Sequence, residues 1–378
     1  MPDVLILGDT IRCPELRHEV PVAVPDPFLY GERDGKRLVH VSGLELRRVE
    51  AVGDYEIHPP EDYGYDELIR SGRSRAEITL ELIARACRAW AITDAAVPPT
   101  FPLEVADRLR ADGVNVRVDR ELFDARRRSK NAAELAGIRR AQRAAEAGMT
   151  AARELLRRAR PNGTAVTVDG EPLTSERIKV AIGNAFTEHD AIADEFIVSH
   201  GPQTAIGHDM GSGPIAPNEP IVIDLFPRDR ESACFADMTR TYVVGTPTDE
   251  LEEYHRLCHE ALQRALADVK PGVEGNSLHV STCELFQENG QKTSLDKEPG
   301  KVLEDGFFHG LGHGVGLEVH ERPSIGIVPG DTFVTGDVIT LEPGLYRRGY
   351  GGVRLEDLVL VTEDGAENLT DYPYELEP

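Results

Sequence analysis

The stretch His309-Gly310-Leu311-Gly312-His313-Gly314-Val315-Gly316-Leu317-Glu318-Val319-His320-Glu321 places glycine at positions 310, 312, 314 and 316, among three histidines. A helix carrying two ligating histidines would not tolerate that, because each interior glycine costs about 1 kcal/mol relative to alanine. Alternate glycines suit an extended strand that another backbone approaches closely. In such a strand His309 and His313 share one face, about 13 Å apart at roughly 3.3 Å per residue. One ion cannot readily take both. We therefore expect one histidine to be a metal ligand and the other to contact substrate.

Carboxylates flank this stretch at regular places. Ile221-Val222-Ile223 leads into Asp224, and Val338-Ile339-Thr340-Leu341 leads into Glu342. Each is followed by a loop and a second strand-like run with another acid. Asp237 follows Asp224 by 13 residues, and Glu356 follows Glu342 by 14. An acid at the end of a buried strand is costly unless something compensates it. Four such acids together would be offset by two divalent cations, with one histidine completing the donor set. Carboxylate and imidazole donors fit Mn²⁺, Fe²⁺, Co²⁺ or Zn²⁺ better than a thiolate-selecting ion. Two ions about 3.5–4 Å apart can share a hydroxide nucleophile and polarise a carbonyl, which is hydrolytic chemistry.

Composition narrows the partners. The chain has 378 residues, 42 Lys+Arg against 66 Asp+Glu, and a net charge of −24. Such acidity excludes a general nucleic-acid binder and disfavours docking on anionic lipid. Only 7 of the 42 cations are lysine. A self-repelling soluble surface and adaptation to high salt both fit that balance. No apolar run reaches the roughly 18–20 residues of a membrane span. Val4–Leu7 reads as a first strand, not a signal peptide. Five scattered cysteines without a CxxC pair suggest a reducing, cytoplasmic setting and no zinc finger.

The chain divides into an expected N-terminal α/β domain over 1–127 and a larger domain over 128–378. In the first, Val4–Leu7, Arg37–Val41, Ala95–Val97 and Val114–Val118 read as strands and Leu103–Leu109 as a helix. Ser74 with Glu77 is a capping box opening a helix to about Trp90. Arg126-Arg127-Arg128-Ser129-Lys130 reads as a solvated linker. Asn131 with Glu134 then starts a long helix that Pro161-Asn162-Gly163 ends. Further helices are expected near 173–188 and 249–268.

The order Asp224, Asp237, His313, Glu342, Glu356 resembles the pita-bread (creatinase-like) metallopeptidases. These include Xaa-Pro dipeptidases (prolidases), Xaa-Pro aminopeptidases and methionine aminopeptidases. The motifs that carry the resemblance are Ile223-Asp224, the block from Asp237 to Thr241, the 309–321 stretch, Leu341-Glu342-Pro343-Gly344 and Val353-Arg354-Leu355-Glu356-Asp357. The resemblance implies an α+β chain with a C-terminal pita-bread fold. It implies two divalent metal ions, manganese first, with cobalt, zinc or iron as alternatives. Asp224, Asp237, His313, Glu342 and Glu356 would be the ligands, with Asp237 and Glu356 bridging. Glu342 would also act as general base towards the bridging hydroxide. His208, in Gly207-His208-Asp209-Met210, His309 and His320 would contact substrate or the tetrahedral intermediate. Arg354 would sit as a charge near the metals or the substrate carboxylate. The implied reaction hydrolyses the bond between an N-terminal residue and proline, in a homodimer. A methionine aminopeptidase and a pita-bread protein that only binds are the alternatives. One departure stands out. The first ligand, usually in Asp-x-Gly, here opens Asp224-Leu225-Phe226-Pro227-Arg228, and the enlarged loop adds Asp229, Arg230 and Glu231. We expect it to alter the pocket rim.

Overall fold

Ser74 and Glu77 cap the helix Arg75–Ala89 reciprocally, the Ser74 side chain accepting from the Glu77 amide and Glu77 accepting from the Ser74 backbone. That helix belongs to the first of two compact units in a computed structural model that describes residues 2–378. The units meet in sequence between Arg127 and Arg128. The first is built on one mixed six-stranded sheet. Its strand order is Glu56–His58, Lys36–His40, Phe28–Arg33, Asp3–Gly8, Asp94–Val97 and Asn115–Val118. The strand Phe28–Arg33 goes beyond our sequence reading, although Asp34-Gly35 signals it. Both residues have positive φ, the requirement of a tight hairpin turn, and the flanking strands pair antiparallel from Arg33–Lys36 onward. Leu5, Leu29, Ala86, Ala95 and Leu109 form the core between the sheet and the helices Arg75–Ala89 and Leu103–Ala111.

The basic run corrects our linker reading. Arg126 lies in the helix Arg120–Arg128 and grips Glu19 at 3.0 Å and Glu32 at 2.7 Å. Arg128 holds Asp337, with 2.9 Å from Nε to Oδ1, and Lys130 pairs with Glu321. The charges serve to anchor side chains, and the Lys130 side chain is 3% exposed.

In the second unit Asn131 and Glu134 form another capping box, opening the 27-residue helix Ala132–Arg158. It packs with the helix Ser175–Glu188 through Ala145, Met149, Ile178, Ile182 and Phe186. The same cluster includes Ile221, Ile223 and Met238 of a three-stranded antiparallel sheet, ordered Ile197–His200, Pro220–Leu225, Met238–Val243. A second sheet of five strands runs Glu321–Ile325, Gly312–Gly314, Val338–Leu341, Asp357–Val361, Ala366–Asn368. The helices Asp249–Asp268 and Gly275–Glu288 pack on it through Leu257, Leu262 and Phe286. An antiparallel bridge between Thr239 and Glu356 joins the two sheets. The architecture is α+β.

The 309–321 stretch is less extended than expected. Only Gly312–Gly314 is strand, with a register shift between His313 and Gly314. The chain then loops and returns as Glu321–Ile325. Backbone crowding explains the glycines here: a Cβ on Gly312 would overlap the Thr340 carbonyl, and one on Gly314 the Arg322 carbonyl.

Candidate metal centre

The sheet registers assemble the acids. Asp224 stands opposite Thr239, two residues past Asp237. In the other sheet Leu341 pairs with Asp357, so one further step sets Glu342 against Glu356. The Thr239–Glu356 bridge brings the two pairs together.

Ligand atoms of Asp237, His313 and Glu356 lie within 4.8 Å of one another. His313 Nε2 is 3.8 Å from Asp237 Oδ2 and 3.7 Å from Glu342 Oε1. Its Nδ1 lies 3.1 Å from the Gly314 carbonyl. A proton placed on Nδ1 by that contact leaves Nε2 free as a ligand. Thr239 Oγ1 donates to Glu356 Oε2 at 2.7 Å. Asp224 Oδ2 meets Arg354 Nη2 at 2.5 Å. From Arg354 a chain continues: Nη1 donates to the Tyr346 hydroxyl at 3.1 Å, and that hydroxyl lies 2.9 Å from His309 Nε2. His309 Nδ1 then faces the Gly310 carbonyl at 2.8 Å and Glu342 Oε2 at 3.7 Å. His309 and His313 thus address opposite oxygens of Glu342. His320 lies against His313 with ring centroids 4.3 Å apart. His208 is exposed, near enough to His309 and His320 that a positive charge on it would disfavour theirs. Tyr346 and Thr239 lay outside our sequence-based set. Thr239 lies within the block from Asp237 to Thr241, but that block does not say which acid it serves, and Tyr346 is part of no such pattern; strand pairing brings both in.

The donor set tests whether divalent cations fit. Asp224 Oδ1 and Asp237 Oδ1 are buried oxygens without any hydrogen-bond partner. Among the described residues Arg354 alone pairs a cationic guanidinium with one of the four carboxylates. Burial, together with the charges of Glu356, Asp224 and Glu342, pushes Asp237 well above the usual carboxylate range. Burial with the charges of Glu342 and Asp224 does the same for Glu356. Burial raises Glu342 to about 8, with Asp224 adding to the shift and Arg354 opposing it. Acids that resist ionisation for want of positive charge are a site for cations. Burial, then His320, lowers His313 to about 4, which keeps it neutral as a ligand must be. The residues fit divalent cations.

The enlarged loop after Asp224 is fixed by its own pairings. Arg228–Asp229 pairs with Ala191–Ile192. Asp229 takes Arg140 at 2.8 and 2.9 Å and the Ser232 amide at 2.7 Å. Its acids clamp it to the long helix. An apolar recess opens among Ala205, Ile206, Leu303 and Phe308, with Phe308 edge-on to His309 at 5.9 Å.

Residues 136–363 match metallopeptidase family M24. The Xaa-Pro dipeptidase of Pyrococcus furiosus is 38% identical over 189 residues, 49% of each chain. An uncharacterized peptidase of Bacillus subtilis is 32% identical over 187 residues, 50% of this chain and 49% of its own. The match thus spans about half the length of these curated relatives. Among solved structures, a prolidase from Pyrococcus furiosus superposes with a TM-score of 0.76 at 23% identity, over 99% of this chain and 97% of that one. An X-Pro aminopeptidase from Thermotoga maritima gives 0.79 at 22% identity, over 98% and 96%. These likenesses show the pita-bread fold. Among the described residues no helix is long and apolar enough to cross a membrane.

Proposed function

The chain belongs to metallopeptidase family M24, and from that premise we propose that it is a dinuclear metal-dependent peptidase hydrolysing the bond between an N-terminal residue and proline. The observation that carries this reading is the buried acid cluster with its two unpartnered oxygens, Asp224 Oδ1 and Asp237 Oδ1. Asp224, Asp237, His313, Glu342 and Glu356 would hold the ions. When bound, the ions supply a hydroxide at neutral pH and polarise the scissile carbonyl.

The chain's own groups do the rest. Glu342, flanked by His309 and His313 at 3.7 Å each, takes the proton from the attacking water. A prolyl nitrogen has no hydrogen and leaves as an amine only if a proton is delivered to it. Glu342 hands that proton on. His208 and His320 donate to the developing oxyanion and steady the departing proline. Arg354, paired with Asp224, holds the first ligand's carboxylate in place. The recess at Ile206 and Phe308 suits an apolar side chain on the residue before proline. Manganese is the expected ion and a homodimer the expected assembly. All five cysteines are buried and unpaired, which supports a reducing, cytoplasmic setting.

The test is a rate series on Xaa-Pro, Xaa-Pro-Yaa and Met-Ala-Yaa peptides with Mn²⁺, Co²⁺ or Zn²⁺, before and after chelation. We expect proline at the second position to be required and chelation to abolish turnover. Preference for Met-Ala-Yaa, or full activity without metal, would overturn the reading. The first two peptide sets separate dipeptidase from aminopeptidase action.

A further inference from the structure

Arg240 follows Thr239 in the strand Met238–Val243, so its side chain leaves on the face opposite Thr239. It is fully buried at 0% exposure. A guanidinium has five N–H donors, and here all five are used. Nη1 donates to the Thr239 carbonyl at 2.9 Å and the Glu356 carbonyl at 2.7 Å. Nη2 donates to Asp357 Oδ1 and the Tyr372 carbonyl, both at 2.9 Å. Nε donates to the Pro373 carbonyl at 2.8 Å. The Tyr374 ring stacks on the guanidinium, 4.4 Å away, and its hydroxyl donates to Asp357 Oδ2.

These contacts divide into two sets. Thr239 and Glu356 form an antiparallel bridge between the sheets that carry the acids, and Thr239 also bonds the Glu356 carboxylate. Tyr372, Pro373 and Tyr374 belong to the C-terminal segment, which is pinned further by His255 on the Tyr374 carbonyl at 2.6 Å and by Val243 on the Leu376 carbonyl at 2.9 Å. One buried cation therefore connects the chain's last residues to the backbone of an expected bridging ligand. Removing it would leave two strand carbonyls, two tail carbonyls and Asp357 short of a donor, in a region closed to water.

We infer that Arg240 is a positioning residue of the metal centre, and that the segment Tyr372–Tyr374 acts on metal binding through it. The inference rests on the reading of Glu356 as a ligand. Its test measures Mn²⁺ stoichiometry and affinity of the full chain by calorimetry, with melting followed separately in chelator. Arg240→Met should bind Mn²⁺ about tenfold more weakly or lose one ion, as expected when a group that orients a ligand is removed. Arg240→Lys keeps the charge with fewer donors and should recover part of that loss. Tyr374→Phe keeps the ring but drops the bond to Asp357, and should weaken binding about threefold. Arg153→Ala removes the 3.1 Å pair with Glu375, a tail contact that does not reach the bridge. It should lower melting and leave Mn²⁺ affinity alone. Unchanged Mn²⁺ binding in Arg240→Lys and Tyr374→Phe, whatever their melting, would overturn the inference even if Arg240→Met fails to fold. A wild-type chain that binds no Mn²⁺ would instead remove the reading of the centre itself, and this inference with it.

Discussion

In the first unit Glu81 is met by four guanidinium groups: Arg108 at 2.6 Å, Arg85 at 3.0 Å, Arg88 at 3.3 Å and Arg73 at 3.9 Å. In the second unit Asp224, Asp237, Glu342 and Glu356 have one guanidinium among them, that of Arg354. The two regions answer with opposite proton affinities. The hydrogen bond from Arg108, reinforced by Arg85, lowers Glu81 to about 2. Burial and its neighbours raise Glu342 to about 8. Both clusters are acidic, in a chain rich in acids. The difference is whether the fold itself supplies the counter-charge. Where it does, the cluster is an ion-pair network. Where it does not, positive charge must come from outside, and that marks the site.

The strongest way to break this contrast is Asp237→Asn. It removes an expected bridging ligand, and we expect Xaa-Pro turnover to fall by about 10⁴-fold, near 5 kcal/mol of transition-state stabilisation. The same change also removes a buried acid whose ionisation its surroundings oppose and which lacks a partner on one oxygen. In chelator the variant should therefore melt higher than wild type, by about 1 kcal/mol or more of stability. A lower melting temperature in chelator would show that the acids are not in conflict.

Arg354→Met attacks the contrast from the other side. It strips Asp224 of its only cation, and breaking a buried pair on one side costs about 3 kcal/mol or more. Denaturant unfolding in chelator should show that loss. Saturating Mn²⁺ should shrink it, because bound cations would replace the missing charge. An equal loss with and without Mn²⁺ would mean that Arg354 serves packing alone.

Glu81→Gln is the mild counterpart. Its network lies nearer the surface, so we expect a cost of about 1 kcal/mol at neutral pH and no change in turnover. The pH sign follows from the depressed value. The stabilisation is present above the unfolded pKa near 4.5 and is lost as pH falls towards about 2. Wild type and variant should converge across that window in acid unfolding. A gap that persists at the acid end would place the effect in shape and not in charge.

Much of the fold was legible in local patterns. Ser74 with Glu77 and Asn131 with Glu134 are real reciprocal caps, because a cap is settled within four residues. The helix Asp249–Asp268 falls where its periodicity places it. The hairpin at Asp34-Gly35 was there to be read as well. The run 126–130 was misleading because composition reports charge but not partners, and Arg128 finds Asp337 some two hundred residues away. The 309–321 stretch was half right. Its glycines do mark close backbone approach, but the bulge at His313–Gly314 depends on which strand comes back beside it, and no period in the stretch encodes that.

At the centre the division is sharper. The sequence by itself determined which side chains were available: four acids after apolar runs, and histidines set among glycines. It also determined their order, since each acid ends or begins a strand whose apolar residues must be buried. Only the tertiary structure decided how they are served. Arg354 goes to Asp224 across 130 positions, Thr239 to Glu356 across 117, and Tyr346 links Arg354 to His309. Arg240 joins the C-terminal segment to the same bridge. Such contacts are fixed by sheet register and by the junction of two sheets. A residue's local period tells which face it occupies, and only the pairing of distant strands tells what stands across from it.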